Sequence, residues 1–115
     1  MKYILLIYGN EASLSKRTRE EMGGVVKEYV AVADSLSANG QLVAAERLQS
    51  ASTATTVRVK DGKTLTTDGP FAETKEQLGG FYLIEAKDLD EAIGVAARLP
   101  GARSGCVEVR PIFVM

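Results

Sequence analysis

Two segments with helical periodicity, each placed between strand-length runs, constrain the fold of this chain more than any other feature. The first runs from about Ser15 to Ala38, and its apolar positions recur on one helical face: Met22, Val25, Val26, Tyr29, Val32, Ala33 and Leu36. The second follows Asp88 and has its own apolar positions: Leu89, Ala92, Ile93, Ala96, Ala97 and Leu99. Asn39-Gly40 and Pro100-Gly101 are typical helix stops, so the sequence predicts two amphipathic helices.

The starts of these helices carry two local signals. Asp88 with Glu91 three residues later has the form of a capping box, so we expect Asp88 to cap the second helix. Gly23-Gly24 lies inside the first helical segment, at a cost of about 1 kcal/mol per glycine relative to alanine. Either the helix begins after this pair, or it passes close to another backbone there.

Strand-like runs precede and follow both helices. Lys2–Tyr8 is apolar at both alternating sets, and the other predicted strands are Gln41–Leu48, Leu78–Ala86 and about Cys106 to Val114. Two Thr/Val-rich runs, Thr55–Lys60 and Lys63–Thr67, flank Asp61-Gly62, which favours a tight hairpin. The order predicts an α+β fold, ferredoxin-like βαββαβ with an inserted β-hairpin.

The predicted sheet has more apolar surface than its helices can cover. Phe81 and Leu83 should lie on one face of their strand, with Tyr82 and Ile84 on the other. Two helices cover one face of a four-stranded sheet, yet the first and fifth strands are apolar on both faces. A second copy of the sheet is the simplest cover for the remaining face, so we expect a homodimer.

Composition bounds the class of protein. The chain has 115 residues, the usual size of one domain, and we expect residues 1–115 to form a single domain. Its 14 basic and 15 acidic residues form no basic run, and only 6% are aromatic, so we expect no nucleic-acid partner. Met1–Tyr8 is too short for a membrane span and lacks a following cleavage site, so we expect a cytoplasmic protein without membrane attachment.

The ligand chemistry is also bounded by residue types. Cys106 is the only cysteine and no histidine exists, so we expect no disulfide and no metal site. Cys106 lies in a strand-like run, where we expect a small buried hydrophobe. No phosphate loop, dinucleotide fingerprint or nucleophile motif occurs, and we expect no cofactor.

Polar residues crowd the segment before the fifth strand. Asp68-Gly69-Pro70-Phe71 has turn chemistry, and Thr74 to Gln77 has the capping-box form for one helical turn. The segment is either purely structural or part of a ligand site held by the adjoining strand. Its candidate ligand-binding residues are Asp68, Gly69, Pro70, Phe71, Glu73 and Lys75.

Charges and tyrosines inside strands supply further candidates. Arg47, Glu108 and Arg110 would face either solvent or an enclosed cavity, where each charge would need a partner. Tyr8 and Tyr82 could add hydroxyls to that cavity, or be core residues with an outward-facing oxygen.

Four segments carry a family resemblance: Met1–Asn10, Thr53–Arg58, Asp68–Tyr82 and Val107–Ile112. Together they resemble the DGPF-type branch of the YCII-related family. The resemblance implies a ferredoxin-like fold that pairs as a dimeric α+β barrel, with a cleft on the sheet or near the dimer interface. The wider family has a histidine–aspartate proton-transfer pair, which this histidine-free chain cannot form.

The sequence is compatible with two functions. The absence of a nucleophile motif and of histidine favours an uncharacterised YCII-related protein that binds a small molecule or acts as a regulatory dimeric module. The alternative is a cofactor-independent lyase or isomerase that moves a proton through a carboxylate such as Asp68 or Glu108. Catalytic residues are not assigned by the sequence, and the ligand is unknown.

Overall fold

The computed structural model describes all residues, 1–115. Four strands form one antiparallel sheet in the order β2-β5-β1-β6: β1 is Lys2–Gly9, β2 Leu42–Arg47, β5 Gln77–Glu85 and β6 Cys106–Pro111. The inserted hairpin is β3, Thr55–Lys60, with β4, Lys63–Asp68. The helices are α1, Glu11–Leu14, α2, Arg19–Ala38, α3, Leu89–Arg98, and α4, Gly101–Ser104. The ferredoxin-like α+β prediction is confirmed, although β6 ends three residues before the predicted Val114.

The two faces of the sheet differ in what covers them. On one face Tyr3, Leu5, Tyr82 and Ile84 are buried in a single core cluster with residues of α2 and α3. On the other face, which we call the open face, the paired side chains are Ile4 with Leu83 and Leu6 with Phe81, all half-buried. The predicted alternation of β5 is therefore confirmed.

Helix α2 starts later than predicted, at Arg19, because Thr18 caps it. The Thr18 hydroxyl accepts from the Glu21 amide at 3.0 Å, and the Glu21 carboxylate accepts from the Thr18 amide at 3.1 Å. Gly23-Gly24 lies inside the helix, and a Cβ at either glycine would meet nothing within 4 Å. Both explanations offered for the pair are therefore wrong: the helix does not begin after it, and no backbone passes close to it.

Helix α3 is capped as predicted, and it buries only part of the predicted apolar stripe, together with Val95. Asp88 accepts from the Glu91 amide at 2.9 Å, which confirms the cap. The buried residues are Ala92, Val95 and Ala96, whereas Leu89 and Ile93 are about half exposed. Pro100-Gly101 does not simply stop the helix, since Gly101 opens the short helix α4.

The β3–β4 hairpin projects from the rest of the molecule. Asp61 and Gly62 have φ values of 53° and 75°, the left-handed pair that a tight hairpin turn requires, so this prediction is confirmed. Almost every residue of the hairpin is exposed. The radius of gyration is 16.0 Å, compared with about 13 Å for a compact chain of this length.

Candidate ligand-binding cleft

A cleft of about 730 Å³ lies between the N-terminal half of α2 and one end of the sheet. Helix α2 is buried against the core only at Val32 and Leu36, near its C-terminal end. Its N-terminal half therefore leaves a space above β1, β2 and β5. The apolar lining is Ile7, Leu14, Met22, Val25, Val26 and Val30.

Glycine at position 80 keeps the sheet side of this cleft open. Gly80 is buried and pairs with Ile7 of β1 and Arg47 of β2, so it belongs to the face that carries the helices. A Cβ there would lie 2.6 Å from the Glu46 carbonyl oxygen, which is closer than real contacts allow. The glycine thus permits the close approach of β2 and leaves the space above it empty.

Tyr29 connects α2 to both neighbouring layers. Its hydroxyl oxygen accepts from the Gly101 amide at 2.9 Å, and its carbonyl accepts from the Tyr82 hydroxyl at 2.8 Å. Burial raises the pKa of the Tyr29 phenol, against the opposing effects of the Gly101 amide and of the Arg17, Arg103 and Arg47 charges. Because burial also raises the pKa of Tyr82, both hydroxyls keep their protons at neutral pH.

The two arginines that line the cleft have no acidic partner, unlike two arginines outside it. Arg103 forms an ion pair with Glu28 at 2.6 Å, and Arg110 pairs with Glu108. Arg17 and Arg47 line the cleft and form no ion pair. The guanidinium groups of these two residues are therefore free cations beside an apolar surface.

The acidic residues at the cleft are already engaged or directed away. The Glu11 carboxylate accepts from the Ser50 hydroxyl at 3.0 Å and from the Ala51 amide at 2.8 Å. Glu46 pairs with Phe81, so strand alternation places its side chain on the open face. No cluster of three or more acidic or cysteine side chains is positioned to hold a metal ion.

Three of the predicted site residues line the cleft: Tyr8, Tyr82 and Arg47. The Tyr82 hydroxyl is occupied by the Tyr29 carbonyl, so it orients α2. Tyr8 follows the register shift between Ile7 and Tyr8 at the end of β1. Of the predicted residues, Arg47 therefore contributes an unpaired cation to the cleft and Tyr82 an engaged phenol.

The remaining predicted residues lie outside the cleft. Asp68 ends β4, and the segment between β4 and β5 contains Gly69, Pro70, Phe71, Glu73 and Lys75. The Gly69 amide donates to the Ala54 carbonyl at 2.7 Å, and its carbonyl accepts from the Thr56 hydroxyl at 2.8 Å, so this turn closes the base of the hairpin. Phe71 is 81% exposed. Glu108 and Arg110 pair with each other on the open face, beside Leu6 and Ile4.

The end of the same segment does reach the cleft, through Gln77. The predicted helical turn from Thr74 to Gln77 is wrong, because Gln77 begins β5 and its side-chain amide donates to the Thr74 carbonyl at 2.6 Å. The Gln77 side-chain oxygen accepts from the Glu11 amide at 2.9 Å, and Asn10 donates to the Lys75 carbonyl at 3.0 Å. The segment therefore fixes the start of α1 at the edge of the cleft.

Cys106 does not have the predicted buried position. It is exposed at the start of β6, opposite Tyr8, and its thiol donates to the Glu76 carboxylate at 3.7 Å. Partial loss of solvation and the Glu76 charge raise the pKa of this thiol. Cys106 lies outside the core because it is at the end of β6, an edge strand, although the sequence pattern around it is strand-like.

Four residues that shape the cleft were not singled out from the sequence: Arg17, Tyr29, Gly80 and Gly101. Gly79-Gly80 inside a predicted strand was an available signal, because glycine within a strand often marks a close backbone approach. Tyr29 was counted only as part of the apolar stripe of α2. Arg17 gave no signal, since it lay within a predicted helix rather than in the turn before one.

Sequence comparisons relate the chain to other proteins. The chain is 42% identical over 114 residues to an uncharacterised protein of Rhizobium meliloti (strain 1021), across 97% of this chain and 92% of that protein. No helix is long and apolar enough to cross a membrane. The YCII-related domain matches residues 1–115, and the chain belongs to the YCII-related family.

Proposed function

We propose that this protein is a small-molecule-binding module whose ligand occupies the cleft under α2. The observation that supports this most is the cleft itself, about 730 Å³ with an apolar lining and a few polar groups. Ligand pockets commonly have volumes of about 300–1,000 Å³ and this kind of lining. The exposed apolar residues Val26 and Val30, on the side of α2 that lines it, would be covered by a bound molecule.

Proton transfer by a carboxylate has less support as the function. Asp68 and Glu108 lie outside the cleft, and the carboxylate of Glu11 inside it is held by two hydrogen bonds. The charged groups that remain unpaired in the cleft are the guanidinium groups of Arg17 and Arg47, which do not accept protons. Binding is therefore the function that this set of groups favours over catalysis.

We further propose that residues 1–115 act as one domain of the DGPF-type branch and pair as a homodimer. The segment Asp68–Tyr82 supports the branch, and one contiguous core cluster supports the single domain. The open face supports the homodimer, because Ile4, Leu6, Phe81 and Leu83 lie side by side on it without a covering layer.

Binding in the cleft can be tested with N-phenylnaphthylamine, a neutral dye that fluoresces in apolar surroundings. The native protein should increase its fluorescence in a saturable way. Val26→Trp should weaken this binding about tenfold or more, because the larger side chain occupies part of the cleft. Val43→Trp is the matched control, since Val43 is equally exposed, at 45% compared with 43%, and lies outside the cleft. Equal dye binding by the two variants would contradict the proposed site.

A further inference from the structure

We propose that the cleft selects an organic monoanion, a carboxylate attached to an apolar body, and that Arg17 and Arg47 bind the carboxylate. This inference rests on the proposed binding function and specifies the ligand class for the same cleft. It follows from three properties of the site. The cleft contains two unpaired cations and a third hydrogen-bond donor. It also has an apolar lining, which a small inorganic ion would leave exposed to water.

The cations come from different parts of the chain. Arg47 ends β2, and Arg17 lies in the turn before α2, yet both line the same cleft. Arg103, near Tyr29, forms an ion pair with Glu28, whereas Arg17 and Arg47 form no ion pair. Guanidinium groups bind carboxylates through paired, charge-assisted hydrogen bonds, so two free ones at an apolar cleft match an anionic head group.

Tyr29 provides the third donor. Its hydroxyl oxygen already accepts from the Gly101 amide, while its proton has no acceptor within the protein. Tyr29 lines the same cleft as Arg17 and Arg47. A carboxylate seated there would receive a neutral hydrogen bond in addition to the two charged contacts.

Two acidic residues, Glu11 and Glu46, line the cleft together with the two arginines. Glu11 is held by Ser50 and Ala51, and the Glu46 side chain belongs to the open face. The apolar part of the ligand would contact residues of α2 and β1, namely Ile7, Met22, Val25, Val26 and Val30. Burial of that hydrocarbon would contribute roughly 25 cal/mol per Å² of covered apolar surface.

The test is competition against bound N-phenylnaphthylamine by phenylbutyrate and by phenylbutyramide, which share one carbon skeleton and differ in charge. The acid should displace the dye at about tenfold lower concentration than the amide, since a hydrogen bond to a charged group contributes that much. Arg17→Gln with Arg47→Gln should abolish this preference, so that the acid and the amide displace the dye at equal concentrations. Arg58→Gln is the control, because Arg58 is an exposed strand arginine on the hairpin.

The outcomes separate this inference from the function on which it rests. Dye binding with equal displacement by acid and amide would overturn the anion preference and leave the cleft as a binding site. A preference that survives in the double variant would also overturn the assignment of Arg17 and Arg47. No dye binding by the native protein would contradict the proposed function itself. Each single arginine variant should lose part of the preference, which keeps the test decisive if the double variant unfolds.

Discussion

At the scale of single residues, the cleft depends on contacts between positions far apart in the chain. The Tyr29 hydroxyl and the Gly101 amide are separated by 72 positions. Helical periodicity correctly placed Tyr29 on the inner side of α2, but the partner of its hydroxyl is set by tertiary packing. The same reason explains why Arg17 was not predicted, whereas Arg47, already notable as a charge inside a strand, was.

Gly101→Ala should lower the free energy of unfolding by about 1–3 kcal/mol through overpacking. A Cβ at position 101 would lie 2.5 Å from Ile7 Cγ2 and 2.8 Å from the Tyr29 hydroxyl oxygen. Gly94→Ala is the control, because nothing lies within 4 Å of its Cβ position in α3. That variant should gain up to about 1 kcal/mol from helix propensity. Urea unfolding measures both, and an unchanged midpoint for Gly101→Ala would contradict the close packing of α4.

Glu21 should make the stability of α2 depend on pH. Its hydrogen bond with the Thr18 backbone, followed by that with the Thr18 side chain, lowers the pKa of the carboxyl below its usual 4.5. The folded pKa is thus below the unfolded one, so the contribution is present above pH 4.5 and is lost as the pH falls through the folded value. Glu21→Gln keeps a capping side chain but should remove this dependence. Thermal melts of the native protein and of Glu21→Gln across acidic pH measure this dependence. Parallel curves of unfolding midpoint against pH for the two proteins would contradict the cap.

At the scale of elements, the sequence correctly predicted the features that depend only on residues close together in the chain. The Asp61-Gly62 turn and the Asp88 cap are both present as expected. The face that α3 buries was less predictable, because Leu89 and Ile93 fit an apolar stripe as well as Val95 does. Packing against the sheet selects Ala92 and Ala96, whose small side chains permit a close approach of the helix.

Replacing Gly23 and Gly24 by alanine should stabilise the protein by about 1 kcal/mol for each position. Both glycines lie inside α2 with open space around them, so an added methyl group meets no neighbour. Gly40→Ala is the contrasting variant, because Gly40 follows the same helix with φ of 71° and should lose stability. Thermal unfolding compares the three changes. A destabilised Gly23→Ala/Gly24→Ala protein would show that the pair serves a contact other than those within this chain.

At the scale of the whole molecule, the dimensions show that the chain has one sheet with a layer of helices on one side. Its principal extents are 47 × 43 × 19 Å, and the smallest corresponds to one sheet and one layer of helices, each about 10 Å thick. Only 14 of the 115 residues are buried, so the core occupies one side of the sheet. The sequence predicted this arrangement, because its two amphipathic helices can cover only one face of a four-stranded sheet. The position of the cleft was not predicted, because it depends on how α2 lies across the sheet.

Leu83→Glu should convert a homodimer into monomers. In a symmetric dimer built on the open face, this change would bring a carboxylate and its symmetry mate into the same apolar interface, where unpaired charges are costly. Leu83 lies outside the buried core cluster, so the variant should still fold. Ile93→Glu is the control, since Ile93 is 49% exposed on α3, in the opposite layer. Light scattering after size exclusion should give about twice the chain mass of 12.3 kDa for the native protein and for Ile93→Glu. Leu83→Glu should have the mass of a single chain. A native protein that elutes at the single-chain mass would leave the open face to a different partner and contradict the homodimer.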